Sequence, residues 1–409
     1  MRRCPLALAV PFLLTTVALA QSSWSAPVFE TALNSTAADS GPHLSFDALT
    51  VHFSSFRSGD WEIYTATRPY PGGPWSAPVQ VPELGGVGTD DQPFLAIGDL
   101  EIYFASTRAG GFGGFDILHS SRLAPSLPWD PPTFVTELNS SGSESSFSMT
   151  ADGLEAYMLT TGWGAPAAPN NAVFRAMRTS TALPWGTPTV VAELANANTH
   201  RDCEISPDGL SIVYTEFISP RLKVLYAERP DRSSPFSAPV VWTEFDTVGT
   251  SQGVFGFSRS ANGDEAVLAA GFTAAAGGQE LMNTRRSLYY GQGCGALTLA
   301  CPAAVLGTNW DFTTSNIDPV SPIAVTFFGS SSAALPLDPL GAIGCTAYLG
   351  SIITALSSVS VGGTAVLPIP LPNDPSLAGG VLFAQSICLT LGNALGIYTS
   401  NGVTGTLGF

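Results

Sequence analysis

The sequence predicts an all-β chain: a five-bladed β-propeller closed by its own N-terminal outer strand, followed by a β-sandwich. Three observations predict it. A short aromatic-to-proline motif recurs five times, turn-forming residues are abundant while charge is scarce, and the last quarter loses the repeat and gathers cysteines. Of 409 residues, 42 are Gly and 32 are Pro, against 12% charged side chains, a balance that suits short strands and many turns. A hydrophobic content of 45% suffices for several buried cores.

The amino terminus comes first. Met1-Arg2-Arg3 precedes an apolar stretch from Leu6 to Leu19, and Ala18-Leu19-Ala20 stands just before Gln21. This reads as a secretory signal peptide over residues 1–20; the apolar stretch is short for a membrane span and carries Pro5 and Pro11. The segment Ser351 to Leu371 is broken by Gly362, Gly363, Pro368 and Pro370, so the mature chain is expected to carry no membrane span. Formal net charge is −16, and losing Arg2 and Arg3 makes it more negative still. A surface this acidic repels nucleic acid and anionic lipid and excludes both as partners.

The repeat sets the fold over residues 21–290. Its copies are Trp24-Ser25-Ala26-Pro27, Trp75-Ser76-Ala77-Pro78, Trp129-Asp130-Pro131-Pro132, Trp185-Gly186-Thr187-Pro188 and Phe236-Ser237-Ala238-Pro239, at spacings of 51, 54, 56 and 51 residues. Periods near fifty with strand-like content mark propeller blades. Four strands fit between motifs: Pro42 to Ser45, Leu49 to Ser54, Glu62 to Thr67 and Trp75 to Val81, then Gln92 to Ile97, Leu100 to Ser106, Phe115 to Ser120 and Trp129 to Thr136. Asp47-Ala48, Gly98-Asp99, Asp152-Gly153, Asp208-Gly209 and Asn262-Gly263 fall at equivalent hairpin turns. Proline cannot donate to a ladder, so the strand that carries it in every copy lies at the outer edge. Five inner three-strand sets begin near Asp39, Asp90, Glu144, Arg201 and Gln252, but the first outer strand, Trp24 to Phe29, precedes them all. It is expected to complete the fifth blade and so remove the open edge.

Ile205-Ser206-Pro207-Asp208-Gly209-Leu210-Ser211-Ile212-Val213-Tyr214, with Ile102-Tyr103-Phe104-Ala105-Ser106-Thr107-Arg108 and Phe115-Asp116-Ile117-Leu118, resembles the PD40 or WD40-like repeats of TolB-type propellers. The resemblance covers about residues 24 to 290 and is poorest in the fifth unit, where Arg259-Ser260-Ala261-Asn262-Gly263 keeps only the turn. It implies an exported propeller that binds a protein or another ligand.

From residue 291 to 409 the period vanishes and basic residues are absent. Runs at Ile323 to Phe328, Ser358 to Val366 and Val381 to Leu391, split by Pro and Gly, predict an antiparallel β-sandwich. Cys294, Cys301, Cys345 and Cys388 gather here, an even number that predicts two disulfides in an exported chain, with three connectivities open. Tyr290-Gly291-Gln292-Gly293-Cys294, Leu335-Pro336-Leu337-Asp338, Gly344-Cys345, Ala384-Gln385-Ser386 and Ser400-Asn401-Gly402 resemble a carboxy-terminal module of exported planctomycete proteins. Cys301 and Cys388 are additional to that pattern, so the resemblance implies the pairs Cys294–Cys345 and Cys301–Cys388.

Candidate chemistry is thin. Gly249-Thr250-Ser251-Gln252-Gly253 matches a nucleophile elbow, and Gly291-Gln292-Gly293-Cys294-Gly295-Ala296 a dinucleotide loop, but the first lacks its strand-to-helix turn and the second its βαβ unit. His43, His52, His119 and His200 show no metal-ligand spacing, and Cys203 reads as a buried thiol. Asp39, Asp90, Asp91, Glu144 and Asp202 carry more weight, because each is expected just before the innermost strand of its blade. Equivalent loops converge on one mouth of a propeller channel, where a carboxylate ring would hold a cationic group or Ca²⁺, or act as a general acid. The plainer alternative is that these acids cap the loops through backbone amides. Arg57 and Arg108, with Asp60 and Asp116, are expected to form salt bridges within their blades.

The expected function is a non-enzymatic, exported propeller that binds a protein or glycan at the cell surface, outside the cell or in the periplasm. The alternative is a glycan-active hydrolase or lyase working from the carboxylate ring, which needs two carboxylates facing each other across the channel. No cofactor is implied.

Overall fold

The computed structural model describes residues 24–164, 172–249, 252–272, 278–374, 377 and 379–408. The expected signal peptide and Ser251 of the elbow-like motif lie outside the described residues. The chain is all-β.

Five four-stranded antiparallel sheets, of the kind that make propeller blades, fill the front of the molecule. The first unit holds Asp39–Leu44, Thr50–Ser55, Glu62–Thr67 and Val79–Gln80 in that spatial order. The second holds Asp90–Leu95, Glu101–Ser106, Asp116–Ser121 and Thr133–Phe134, and the third Glu144–Met149, Glu155–Thr160, Ala172–Met177 and Thr189–Val190. His200–Ile205, Ser211–Ile218, Arg221–Glu228 and Val240–Val241 make the fourth. The last sheet, here the fifth unit, joins Val254–Arg259, Glu265–Gly271 and Gln279–Arg285 to Val28–Phe29 from the other end of the chain, with Val28 opposite Asn283 and Phe29 opposite Met282.

The expected hairpin turns are present, and their chemistry is visible. Ala48, Asp99, Gly153, Gly209 and Gly263 all have positive φ, while Asp47, Asp152 and Asp208 each accept from a hydroxyl two residues before and an amide two residues after. The outer strands differ from expectation: Val79–Gln80 replaces the run Trp75 to Val81, because Pro78 ends the ladder and only two residues remain to pair.

Consecutive innermost strands touch in order, the fifth unit's against the first's. Five apolar clusters lie between neighbouring sheets, and one of them joins Val267, Ala269 and Leu281 of the fifth unit to Val51, Phe53 and Tyr64 of the first. The motif aromatics Trp24, Trp75, Trp129, Trp185 and Phe236 are all buried in these clusters.

Beyond the fifth unit a five-stranded antiparallel sheet runs in the order Leu288–Tyr290, Ile397–Thr406, Val381–Leu389, Ile323–Gly329, Thr354–Val359. A three-stranded sheet of Thr298–Ala300, Asn309–Ser315 and Thr364–Pro370 meets it across a core of Trp310, Phe312, Phe328, Ala384 and Val403. The run Ser358 to Val366 is not one strand: Gly362 and Gly363, both at positive φ, turn the chain from one sheet to the other.

Cys294 and Cys345 are disulfide-bonded. The expectation of a second disulfide is corrected. Cys301 and Cys388 are free and buried, and they belong to different apolar clusters, Cys301 with Trp310 and Phe328, Cys388 with Leu297 and Ile317.

Candidate functional site

The innermost strands meet at the centre of the ring, and none keeps a regular register along its length. The pairing shifts between Ser40 and His43, Asp91 and Phe94, Ser145 and Ser148, His200 and Asp202, and Val254 and Gly256. Such bulges re-aim side chains. Gly41, Gln92 and Ser146 take φ of 52°, 52° and 53° there, and the amides of Gln92 and Ser146 donate to side chains of neighbouring units.

Gln92 uses that geometry to span the ring. Its amide N donates to Ser54 Oγ, its Nε2 donates to the Arg201 carbonyl, and its Oε1 accepts from the Ser146 amide, at 3.0, 2.9 and 3.1 Å. Ser146 Oγ in turn donates to Asp202 Oδ1 at 2.5 Å, and Asp202 Oδ2 accepts from the Phe257 amide at 2.7 Å. This chain of bonds links all five units and closes the channel, leaving a void of about 20 Å³ lined by Pro42, Pro93, Phe147 and Cys203 among others. Burial pushes the Asp202 carboxyl up to about 6, against the bonds from Ser146 and Phe257 that favour its charge.

On one side of this floor the ring opens into a mouth of about 460 Å³. Trp61, Phe115 and Phe255 supply its apolar wall; Asp91, Gln92, Arg201, Gln279, Ser40 and Ser145 supply polar groups. All five units contribute. Burial raises the pKa of Asp91, while Ser54 and the Gln92 amide hold its charge.

The five sequence-predicted acids are thus divided. Asp39, Asp90 and Glu144 open their strands and are buried. Asp39 pairs with Arg57 at 2.7 Å and accepts from the Ser35 amide and hydroxyl; Asp90 pairs with Arg108 at 2.7 Å. Glu144 accepts from the Ser140 amide and from the hydroxyls of Ser140 and Thr160. Asp91 lines the mouth, and Asp202 lies in the floor. Arg57 and Arg108 thus form salt bridges within their blades as expected, but Asp60 and Asp116 take no part and accept backbone amides from Trp61 and Phe112.

His43 and the Cys203 thiol border the floor but carry no reactive group into the mouth. His43 Nε2 sits 3.1 Å from the Leu95 carbonyl, and burial together with His43 pushes His52 down to about 3. Burial holds the Cys203 thiol well above the usual range, which keeps it from forming a reactive thiolate. Among the described residues no group of three or more His, Cys, Asp or Glu is placed to hold a metal ion, and no helix is long and apolar enough to cross a membrane.

A repeated structural device escaped the sequence reading. Arg68, Arg122, Arg178, Arg229 and Arg286 each donate Nε to a carbonyl in the first hairpin turn of their unit, all at 2.7 Å. Each guanidinium also lies over a motif aromatic, Trp75, Trp129, Trp185, Phe236 and Trp24 respectively, at 4.1 to 4.7 Å. The signal was readable: in four units the arginine stands seven residues before the aromatic, as from Arg68 to Trp75.

No family model matches the chain, and no curated protein matches it. Among solved structures, it is similar to a putative TolB from Agrobacterium tumefaciens at 12% identity and TM-score 0.37, over 68% of this chain and 77% of that one. It is similar to an α-L-arabinofuranosidase from Lactobacillus brevis at 12% identity and TM-score 0.40, over 63% and 92%. An exo-β-1,3-galactanase from Phanerochaete chrysosporium aligns at 12% identity and TM-score 0.40 over 95% of both chains. Likeness of this extent assigns the chain no family and no activity.

Proposed function

We propose that the chain is an exported, non-enzymatic, five-bladed β-propeller with a terminal β-sandwich, whose channel mouth binds a glycan at the cell surface or beyond it. The mouth carries the proposal: a dead-ended cavity of about 460 Å³ with three aromatic walls and a scatter of amide, hydroxyl and charged groups. A sugar presents one apolar C–H face and a rim of hydroxyls, which matches aromatic surface edged by fixed donors and acceptors. The volume lies within the roughly 300–1,000 Å³ of small-ligand sites.

Catalysis by a carboxylate ring finds less support. Among the described residues lining the mouth, Asp91 is the one carboxylate, and a glycan-cleaving pair needs a second across the bond. Asp39, Asp90 and Glu144 are already bound by Arg57, Arg108, Ser140 and Thr160. The disulfide favours an oxidising compartment and so agrees with removal of residues 1–20 on export. A protein ligand at the same mouth is the competing outcome.

A glycan and protein binding screen on the mature chain, repeated with Trp61→Ala and Asp91→Asn, tests the reading. Saturable retention of a glycan that both variants weaken, with the ligand recovered intact, is expected. Retention that Trp61→Ala leaves unchanged, or a cleaved ligand, would overturn it.

A further inference from the structure

The ring carries a second cavity, of about 340 Å³, away from the mouth and between the fourth and fifth units, among their hairpin turns. Its lining includes Arg259 and Arg286, and two departures from the repeat put them there.

The innermost strands of the first four units end in Leu44, Leu95, Met149 and Ile205, all buried. The fifth ends in Arg259. A guanidinium stands where the other units have an apolar packing residue, and it makes long contacts of 3.4 Å from Nη1 and Nη2 to Ser211 Oγ and lies 5.9 Å from the Tyr226 ring centroid.

The second departure concerns the arginines that clasp the hairpin turns, Arg68, Arg122, Arg178, Arg229 and Arg286, here called clasp arginines. In three units the preceding blade has a glutamate at the first residue of its second strand, Glu265, Glu101 and Glu155, and two of these take the guanidinium directly. Glu265 takes Arg68 through two bonds of 2.8 Å, and Glu155 takes Arg229 at 2.8 Å. The fourth unit has Ser211 at that position, so Arg286 has no such carboxylate. Among the described residues, no ion pair of 4.0 Å or less includes Arg259 or Arg286. Arg286 is buried, its Nε taken by the Gly263 carbonyl. At the one further joint without a glutamate there, where Thr50 precedes Arg122, the position of Arg259 is filled by Leu95.

Among the described residues the cavity's acids make no ion pair with Arg259 or Arg286, although Glu204 and Asp208 lie near enough to favour the Arg259 charge. Glu204 Oε1 accepts the Arg259 amide, and its Oε2 lies 3.4 Å from His43 Nδ1. Asp208 Oδ1 accepts from Ser206 and Leu210, and Glu228 Oε2 from Tyr226. The third arginine, Arg229, belongs to Glu155. Burial and the Arg259 charge both push Arg286 down from the usual guanidinium range. Two like charges in a low-dielectric cleft repel, and an oxyanion between them would relieve that repulsion with forked hydrogen bonds.

We propose that the cleft between the fourth and fifth units binds an oxyanion group, a carboxylate or sulfate carried by a small polar ligand, between the guanidinium groups of Arg259 and Arg286. The size of the cavity suits a single acidic sugar or a free inorganic anion. This site is distinct from the mouth, and its test does not depend on what the mouth binds.

The mature protein is titrated calorimetrically at low ionic strength with sodium sulfate, sodium glucuronate and, as a neutral control, glucose. Arg259→Leu is the informative variant, because leucine restores what the first two units have. Saturable binding of sulfate or glucuronate is expected, weakened by about tenfold or more in Arg259→Leu and unchanged in Trp61→Ala. Glucuronate binding well above sulfate identifies the sugar acid as the ligand class; equal binding identifies a bare anion site. In thermal scans the anion is expected to raise the Tm of the wild type but not of Arg259→Leu. No saturable anion binding by the wild type would overturn the proposal. So would Arg259→Leu binding as tightly as the wild type, which would make Arg259 a packing residue only.

Discussion

The ring and the terminal unit solve the same problem, burying β-sheet faces, with opposite chemistry. Every basic residue beyond residue 20 lies in the ring, and many are buried there against carboxylates, carbonyls and indoles, whereas residues 291–409 contain none. The terminal unit relies on apolar packing, a disulfide and hydroxyl bonds such as Thr314 to Ser386 and Ser386 with Thr326, both at 2.8 Å. A sheet that must join a neighbour edge to edge around a ring has polar turn ends meeting at each joint, and arginine reaches them with a flat, multi-donor head. A pair of sheets stacked face to face has no such joints. Charge pattern in this chain therefore reports architecture before it reports function.

The contrast can be broken most sharply at Glu265. It faces Arg68 and Arg285 with both partners buried, and although burial pushes its carboxyl up, the two arginines hold it below the ordinary range. Glu265→Gln leaves uncompensated buried charge and is expected to cost the ring about 3–5 kcal/mol. Calorimetry should show the ring's transition fall while the terminal unit's stays in place. Equal loss in both would mean that the two halves are one cooperative body.

The reverse experiment removes the Cys294–Cys345 bridge, which closes 51 residues of sequence. Cys294→Ser with Cys345→Ser is expected to destabilise the terminal unit by about 2–4 kcal/mol and to leave the ring's transition unmoved. Thiol counting on the unfolded wild type under non-reducing conditions should find Cys203, Cys301 and Cys388 free.

A smaller effect belongs to the channel floor. Asp202 keeps its proton to about 6 when folded, against an ordinary value of 3.8, so the folded chain holds the proton longer than the unfolded one. Its contribution to stability is fully favourable below about 4 and falls as pH rises to about 6, then stays level. Asp202→Asn, with its amide toward Ser146, is expected to flatten that part of the profile and to gain on the order of 2 kcal/mol at pH 7. Denaturation midpoints of the two proteins at pH 4 and pH 7 check it; a constant difference would remove Asp202 as the cause.

Much of this fold was legible. The period, the hairpin turns and the outer-edge proline are local signals, and they located the strands of the first two units to within a few residues. The lengths of the outer strands were less legible, since proline shows where a ladder stops but not how little remains of it. The cysteine pairing was half legible: an even count suggested two bridges, but Cys301 and Cys388 lie in different apolar clusters, which their spacing in sequence does not announce. Of the candidate site, the acids were found by position, yet their use was hidden. Asp39 meets Arg57, 18 residues further along the chain, through the pairing of the first two strands, and its position alone does not announce that partner. The clasp arginines were missed because their carbonyl partners lie 20 to 25 residues away, as from Ala48 to Arg68 or Gly153 to Arg178.

Closure of the ring underlies both cavities, because the mouth takes a wall from each unit and the fifth is completed by the start of the chain. Val28 and Asn283 stand opposite each other in that joint, and directly paired strand residues lie about 4.5–5.5 Å apart, within disulfide reach. Under oxidising conditions the double variant V28C/N283C should form a disulfide between the two introduced thiols, identified by peptide mass mapping, with a raised Tm and glycan retention intact. If those thiols remain reduced and freely alkylated in the folded protein, the N-terminal strand does not close the ring, and the mouth built on it does not exist.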